Sequence, residues 1–346
     1  MDRQMDRRLF YIVGCSQERD GGIAAFALGT GGKAEMRSFT QLCGANYLIP
    51  AADGRSLYAS GGGADFRGYV AALRVGSDGA LTLMDRADTD GLGCCHLCLS
   101  PDGGRLYAAN YRSGSVAGFV IGTDGELGER REFDQHTGHG TDPARQTGPH
   151  AHFCGFDPAG KFLLVNDLGL DTVFAYPYDP ARGIDVGAAL KNPVSPAGSG
   201  PRHLCFEPEG TCLLVTEMGN SLQRLAYREG KLSPLAAVPT LPADTAVPSK
   251  AAALRLSPDG RFVLVSNRGR DTVAVFERRT LEMTALVPSG GKSPRDFAFL
   301  ADGRTVAVAN EFEPNVIFFD FDARNGTLTP TGETLVMARP LCVLAR

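Results

Sequence analysis

The fold is decided by a stretch near residue 260, Pro258-Asp259-Gly260 followed at once by Phe262-Val263-Leu264-Val265. Proline fixes φ at the second position of a turn and glycine tolerates positive φ, so the first three residues predict a tight hairpin turn. The apolar run after them predicts a short buried strand. This pair of signals occurs six times, with turns at residues 52–54, 101–103, 158–160, 208–210, 258–260 and 301–303.

The turns mark a repeat of roughly 50 residues, the period expected for a large repeat unit. After each turn strand comes a polar loop, a further strand such as Thr272-Val273-Ala274-Val275-Phe276, and a last hairpin. Four short strands per repeat, without helical periodicity, are typical of a propeller blade. A parallel β-helix is the alternative repeat fold, but its period is much shorter.

The two chain ends contain incomplete repeats that complement each other. Residues 9–36 supply two or three strands, and Pro340-Leu341-Cys342-Val343-Leu344 supplies a lone strand. Pairing them completes a seventh blade and leaves no free sheet edge. We therefore predict an all-β, seven-bladed β-propeller whose ring is closed by the N- and C-terminal strands, with residues 1–346 as a single domain.

Composition narrows the class of partner and the compartment. The chain has 35 basic and 39 acidic residues and a formal net charge of -4, which argues against a general binder of nucleic acid or membrane surfaces. Its apolar runs are strand-sized, and the start of the chain indicates a first strand rather than a signal peptide. Nine cysteines without regular spacing favour the reducing cytoplasm over a disulfide framework.

The repeats can be aligned with one another on their turn glycines, and the polar residues then fall into register. Seven residues after each glycine stand Gly61, Asn110, Asp167, Glu217, Asn267 and Asn310. Eight residues before it stand Asn46, Cys95, His152, Arg202, Ala252 and Arg295, and the next position reads Tyr47, His96, Phe153, His203, Ala253 and Asp296. The residues after the glycine end one strand of the hairpin and those before it begin the other, so all of them lie at the hairpin edge opposite the turn. We expect them to ring one mouth of the propeller channel, a concave polar site.

Turn capping competes with ligand binding for some of these positions, because Asn and Asp at strand ends cap turns. Both readings stay open for Asn110, Asn267 and Asn310, and Asp167 is expected to be structural. Glu217 breaks the Asn/Asp pattern and fits capping less well. The adjacent Arg202 and His203 are also not explained by turn capping, which needs only a short polar side chain. His150 and His152 lie two residues apart, which on a strand means the same face.

Two other segments carry histidine or cysteine. Cys94-Cys95-His96-Leu97-Cys98 lacks a second ligand pair for zinc, so we interpret it as a strand with buried thiols. His136 and His139 lie in a long insertion, where histidines are ligands or simply solvated. We predict no metal and no cofactor.

Several segments taken together resemble the seven-bladed-propeller lactonase family. They are Asn110-Tyr111-Arg112-Ser113-Gly114, Arg145-Gln146-Thr147-Gly148-Pro149-His150-Ala151-His152, Gly200-Pro201-Arg202-His203, Thr216-Glu217, Ser266-Asn267-Arg268-Gly269 and Asn310-Glu311. That family includes bacterial 6-phosphogluconolactonases of the propeller type and fungal enzymes that lactonise carboxy-muconate. The matches span most of the chain.

The resemblance implies a small anionic sugar-lactone or carboxylate substrate and assigns roles to the polar residues. Lactone hydrolysis needs a base to activate water and a donor or cationic environment for the oxyanion. Glu217, His150 or His152 is the expected base. Guanidinium groups hold phosphate or carboxylate bidentately. The expected substrate-binding residues are Arg145, Arg202, His203, Arg268, Asn110, Asn267 and Glu311.

Three functions remain open on these residues. The first is hydrolysis of 6-phosphogluconolactone to 6-phosphogluconate, the second a lactonising isomerase of the carboxy-muconate type, and the third a non-catalytic binding module, since propellers host many functions. A scaffold has no need of Arg, His and Glu from separate blades, and it would more often expose aromatic residues, whereas this chain has no Trp. The sequence therefore favours the enzyme and leaves hydrolase and isomerase undecided.

Overall fold

The structure is a computed structural model that describes residues 9–14, 21–29 and 32–346. The strands form seven antiparallel sheets, and the predicted class, an all-β seven-bladed β-propeller, is confirmed. No helix within the described residues is long and apolar enough to cross a membrane. The contacts group the chain into two compact units, and the assignment of one domain to residues 1–346 stays a prediction.

The first unit comprises the chain up to Ala45, the hairpin at 75–82 and the part from Val238 onward. It holds three sheets, with strand orders β29-β1-β2-β3, β21 to β24 and β25 to β28. These strands are β1 (Leu9–Gly14), β2 (Gly22–Leu28), β3 (Ala34–Gln41), β21 (Lys250–Leu256), β22 (Phe262–Arg268), β23 (Thr272–Glu277), β24 (Met283–Pro288), β25 (Pro294–Phe299), β26 (Thr305–Asn310), β27 (Asn315–Asp322), β28 (Thr327–Val336) and β29 (Pro340–Ala345).

The second unit comprises residues 46–74 and 83–237 and holds four sheets. Their strand orders are β4 to β7, β8 to β11, β12 to β15 with β16 paired to β14, and β17 to β20. These strands are β4 (Ala45–Pro50), β5 (Ser56–Gly62), β6 (Arg67–Val75), β7 (Leu81–Leu92), β8 (Cys94–Leu99), β9 (Arg105–Asn110), β10 (Ser115–Ile121), β11 (Leu127–Gln135), β12 (Ala151–Phe156), β13 (Phe162–Asp167), β14 (Thr172–Asp179), β15 (Gly183–Ile184), β16 (Leu190–Pro193), β17 (Pro201–Phe206), β18 (Thr211–Thr216), β19 (Ser221–Arg228) and β20 (Lys231–Pro239).

The closing sheet joins the two chain ends, as predicted. β29 pairs antiparallel with β1, with Ile12 opposite Val343 and Tyr11 opposite Leu344. Asp296 in β25 accepts the backbone N–H of Val343 at 3.1 Å, which ties the terminal strand to the neighbouring sheet of the same unit. The C-terminal strand is therefore an inner part of the fold.

The hairpin turns have the geometry that their residues predict. Gly260 has a φ of +67°, and its N–H donates to the Ser257 carbonyl at 2.8 Å. The turn glycines of the other five repeats also have positive φ. In each unit the strands after these turns pack between neighbouring sheets, as with Leu264 and Val306 in one buried cluster. Covered faces on both sides explain the continuous apolar runs.

A β-bulge recurs in the first strand of several sheets. The register shifts between Cys94 and His96 in β8, between Ala151 and Phe153 in β12, between Pro201 and His203 in β17, and between Pro294 and Asp296 in β25. The extra residue is Cys95, His152, Arg202 or Arg295. A bulge re-aims side chains and is frequent beside active sites. The repeat thus carries the same local distortion at the polar position in four blades.

Candidate active site

The buried carboxylate of Glu217 lies between two arginines of the second unit. Its Oε1 accepts a hydrogen bond from Arg145 Nη2 at 2.9 Å, and its Oε2 accepts one from Arg202 Nε at 3.2 Å. Glu217 follows β18, and its own N–H donates to the Gly200 carbonyl at 2.7 Å. The hairpin of β17 and β18 therefore presents Arg202 and Glu217 together, while Arg145 arrives from the long loop between β11 and β12.

The three side chains carry two positive charges and one negative charge. Glu217 is 3% exposed and Arg202 2% exposed, whereas Arg145 is 28% exposed. Burial lowers the pKa of Arg145, but the hydrogen bonds to Glu217 and Tyr111 outweigh it and hold that pKa above its usual range. The cluster thus keeps an excess positive charge, and Arg145 is its most accessible cation.

The imidazole of His150 is held in one tautomer. Its Nδ1 lies 2.8 Å from the backbone carbonyl of Tyr111, and its ring stacks on the Tyr111 ring at 4.6 Å. A carbonyl can only accept, so in neutral His150 the hydrogen is on Nδ1 and Nε2 presents a lone pair. His150 is half-buried. This is the arrangement of an oriented general base.

His150 and His152 share Tyr111 as a neighbour, but not through the predicted strand periodicity. His150 precedes β12, and His152 occupies the bulge, so the two-residue spacing on one strand face does not apply. Instead both rings contact Tyr111, His150 by stacking and His152 edge-on at 5.3 Å. The His152 ring also lies 5.8 Å from that of His203.

The bulge in β17 brings two consecutive side chains together. Successive residues of a regular strand point to opposite faces. Here Arg202 Nη1 donates to Nε2 of the adjacent His203 at 3.2 Å. The pairing of Arg202 with His203 beside Glu217 is therefore a product of the distorted register.

Sequence reasoning missed an aromatic cluster in the second unit. The His96 ring contacts Tyr47 at 4.3 Å, Phe153 at 4.5 Å and His203 at 5.5 Å. All four residues occupy the same column of the repeat alignment. In three of them, His96, Phe153 and His203, that column comes directly after the extra residue of the β-bulge. The aromatic character of that column was the available signal. The segment Cys94–Leu99 is a strand, as predicted, and the thiols of Cys94 and Cys154 are buried.

Asp167 and His136 belong to a buried hydrogen-bonded chain. His136 Nδ1 lies 2.6 Å from Asp167 Oδ2, and His136 Nε2 lies 2.7 Å from the hydroxyl of Tyr176, which donates to Asp134. Asp167 Oδ1 accepts the backbone N–H groups of His150, Gly169 and Leu170 at 2.7, 3.0 and 3.1 Å. Of the two loop histidines, His136 is fully buried and His139 is exposed.

The asparagines make the contacts expected of turn caps. Asn110 accepts from the Thr89 hydroxyl at 2.8 Å and donates to the Ser115 hydroxyl at 3.1 Å. Asn267 donates to the Thr240 carbonyl at 3.2 Å, and Asn310 donates to Asn315 at 2.9 Å. All three side chains are fully buried, so none of them is exposed to contact a substrate directly.

A second arginine–glutamate cluster lies in the first unit. Glu311 accepts from Arg295 at 3.4 Å and from Arg339 at 3.0 Å. Burial raises the pKa of Glu311, but the charges of Arg295, Arg339 and Arg268 outweigh it and hold that pKa below its usual range. The expectation that Arg268 faces one cavity with His150, His152, Arg202 and Glu217 stays a prediction, as does a substrate-binding role for Glu311.

No group of three or more His, Cys, Asp and Glu side chains within the described ranges is arranged to hold a metal ion. The chemistry of the site is that of guanidinium, carboxylate, imidazole and phenol groups. Independence from metals and cofactors remains a prediction for chelation to test.

Comparison with known proteins assigns the class. The family described as "Lactonase, 7-bladed beta-propeller" matches residues 10–345, so the chain belongs to this family and is a lactone-hydrolysing enzyme acting on a small lactone. The 6-phosphogluconolactonase of Bacillus subtilis (strain 168) is 32% identical over 98% of both chains.

Two solved structures share the fold over nearly the whole chain. The periplasmic gluconolactonase of Pseudomonas aeruginosa superposes with a TM-score of 0.91 at 28% identity, covering 97% of this chain and 98% of that one. A protein from Lactobacillus plantarum superposes with a TM-score of 0.89 at 28% identity and the same coverage. The expected resemblance to propeller lactonases is thereby confirmed.

Proposed function

We propose that this enzyme hydrolyses 6-phosphogluconolactone to 6-phosphogluconate, with His150 as the general base. The observation that carries the proposal is the accessible Arg145 of the positively charged Glu217 cluster, which Tyr111 links to an imidazole of defined tautomer. The name of the Bacillus subtilis relative, 6-phosphogluconolactonase, supports the same substrate.

The choice of base follows from which lone pairs are occupied. Both carboxylate oxygens of Glu217 already accept hydrogen bonds from guanidinium groups. In the part of the chain that the structure describes, no guanidinium donates to Nε2 of His150, and its Nδ1 is held by the Tyr111 carbonyl. An oriented imidazole is the commonest general base in enzymes. We therefore assign the proton transfer to His150. The role assigned to Glu217 is to hold Arg145 and Arg202 in position.

The reaction needs only water as a second reactant. His150 Nε2 takes a proton from water as the water oxygen bonds to the lactone carbonyl carbon, and the carbonyl electron pair moves onto oxygen. The tetrahedral intermediate then collapses, the bond to the ring oxygen breaks, and His150 returns the proton to that oxygen. The product is the open-chain hydroxy acid.

The substrate anion is assigned to Arg145. A guanidinium donates two parallel hydrogen bonds to phosphate oxygens, and the excess positive charge of the cluster favours an anion. Arg202 is almost fully buried, so its part in this scheme is to hold Glu217. We also propose the cytoplasm as the location, which is supported by the free thiols of Cys94, Cys98, Cys154 and Cys212.

The test is an assay on freshly prepared 6-phosphogluconolactone and on glucono-lactone without phosphate, in the presence of a chelator and corrected for spontaneous hydrolysis. We expect a higher kcat/KM for the phosphorylated lactone. Arg145→Gln should raise KM for that substrate more than for the unphosphorylated one. Equal kcat/KM for both lactones, or turnover of a carboxy-muconate instead, would overturn the proposal.

A further inference from the structure

Tyr111 connects the two parts of the site. Its hydroxyl oxygen accepts a hydrogen bond from Arg145 Nη2 at 3.0 Å, and its backbone carbonyl accepts the Nδ1–H of His150 at 2.8 Å. Its ring stacks on His150 and meets His152 edge-on. One residue, directly after β9, thus touches the proposed anion-binding arginine and the proposed base.

The hydrogen of the Tyr111 hydroxyl is available to a ligand. A phenol has one hydrogen, and an arginine N–H can only donate, so the contact with Arg145 uses an oxygen lone pair. Within residues 9–14, 21–29 and 32–346, the only hydrogen-bond partner of this hydroxyl is Arg145. Because hydrogen bonds in a chain polarise one another, the hydrogen bond from Arg145 to the phenol oxygen makes the Tyr111 O–H a stronger donor.

The hydroxyl also keeps its hydrogen under ordinary conditions. Burial raises the pKa of Tyr111, and the nearby charge of Glu217 raises it further, while Arg145 opposes these effects only in part. The phenol is therefore a neutral donor over the whole pH range of a lactonase assay.

We propose that Tyr111 is a further catalytic residue, whose hydroxyl donates a hydrogen bond to the lactone carbonyl oxygen as water adds. The inference rests on the proposed function. As the carbonyl electron pair moves onto oxygen, the developing charge is stabilised by this hydrogen bond and, through it, by Arg145. The phenol transfers no proton, because the proton from water passes to His150 and then to the ring oxygen. A donor that strengthens only in the transition state raises kcat rather than affinity.

Tyr111→Phe tests this role cleanly, since it removes one hydroxyl and keeps the ring stacking and the backbone carbonyl that orient His150. Losing one donor to an oxyanion costs about 100-fold to 1,000-fold in kcat. We expect a fall of that order, with KM little changed and the acidic limb of the pH profile retained. A role confined to anchoring Arg145 would instead raise KM.

Tyr58→Phe is the matched control. Tyr58 is a buried tyrosine of the same unit whose hydroxyl donates to the Gly125 carbonyl at 3.0 Å, away from the Glu217 cluster. We expect it to lower thermal stability and leave kcat unchanged. An unchanged kcat in Tyr111→Phe, or a rise in KM alone, would overturn the inference. Absence of lactonase activity in the unmodified enzyme would instead remove the proposed function itself.

Discussion

At the residue scale, His150 and Glu217 are distinguished by their hydrogen-bond partners rather than by their position in the sequence. Both were candidates for the base. Both carboxylate oxygens of Glu217 accept hydrogen bonds from Arg145 and Arg202, so they are already engaged by cations. His150 has Nδ1 fixed by the Tyr111 carbonyl, and within the described residues no hydrogen bond is made to its Nε2. The environment therefore separates the two roles.

The pH profile of two variants checks this separation. His150→Asn should lower kcat by about 100-fold to 10,000-fold and remove the acidic limb of the kcat/KM profile, because the group that must lose its proton is gone. Glu217→Gln should keep that limb and mainly raise KM, since Arg145 and Arg202 lose their charged partner. If the limb persists in His150→Asn and vanishes in Glu217→Gln, Glu217 is the base.

Glu311 predicts a dependence of stability on acid. Its pKa in the folded state is held below the unfolded value, so its contribution is complete above about pH 5 and is lost as the pH falls through the folded pKa. In Glu311→Gln the free energy of unfolding should therefore fall less steeply between pH 6 and pH 3.5, measured by urea titration. Exposed Glu282→Gln is the control and should follow the unmodified protein. An identical slope for Glu311→Gln would contradict this.

At the element scale, the bulges and one loop decide which side chains meet. The bulges in β12 and β17 place His152 and Arg202 where a regular strand would not. The loop after β13 is organised by Asp167, which binds three backbone N–H groups, including that of His150. The imidazole of His150, the proposed base, therefore depends for its position on a carboxylate that the proposed reaction does not use.

Replacing Asp167 separates positioning from catalysis. Asp167→Ala leaves three amides and Nδ1 of His136 without their partner, so we expect lower thermal stability and a kcat near that of His150→Asn. Asp167→Asn keeps an oxygen for the amides and should restore most of kcat. In the double variant with His150→Asn, the loss should not exceed that of His150→Asn alone, since residues acting as a unit are not additive.

Asp157→Ala serves as the control for this series. Asp157 binds the N–H groups of Lys161 and Phe162 and the hydroxyl of Tyr227, at the turn between β12 and β13. The Asp157→Ala variant should have a lower thermal stability and an unchanged kcat. Multiplicative losses in the Asp167 and His150 double variant would show that Asp167 does not act through His150.

At the scale of the whole molecule, the closing sheet joins residues more than 300 positions apart in the chain. β29 supplies a hydrogen-bonded partner to β1 and buries Leu341, Cys342 and Val343. Burying an apolar side chain of this size is worth about 1.5–3 kcal/mol, against a typical total stability of about 5–15 kcal/mol. The last strand is therefore a large part of what holds the first unit together.

Removing the last eight residues should consequently lower Tm sharply or prevent folding. Differential scanning calorimetry or a thermal melt followed by circular dichroism measures the change. Removal of Arg346 alone is the control: it lies beyond β29 and contributes one backbone hydrogen bond, to the Leu9 carbonyl at 3.1 Å, so its removal should have a much smaller effect. Unchanged Tm after the eight-residue truncation would mean that the terminal pairing contributes little.

Sequence alone determined the blade repeat, the strands, the pairing of the chain ends and the aligned positions that supply His152, Arg202 and Glu217. These follow from local rules, because Gly and Pro set the turns and apolar runs set the buried strands. Tertiary structure decided that Glu217 lies between two arginines, that His136 is buried and that Tyr111 links the site. Those outcomes depend on bulges and on loops meeting across blades, where a shift of one residue re-aims every side chain and no local pattern records the partner.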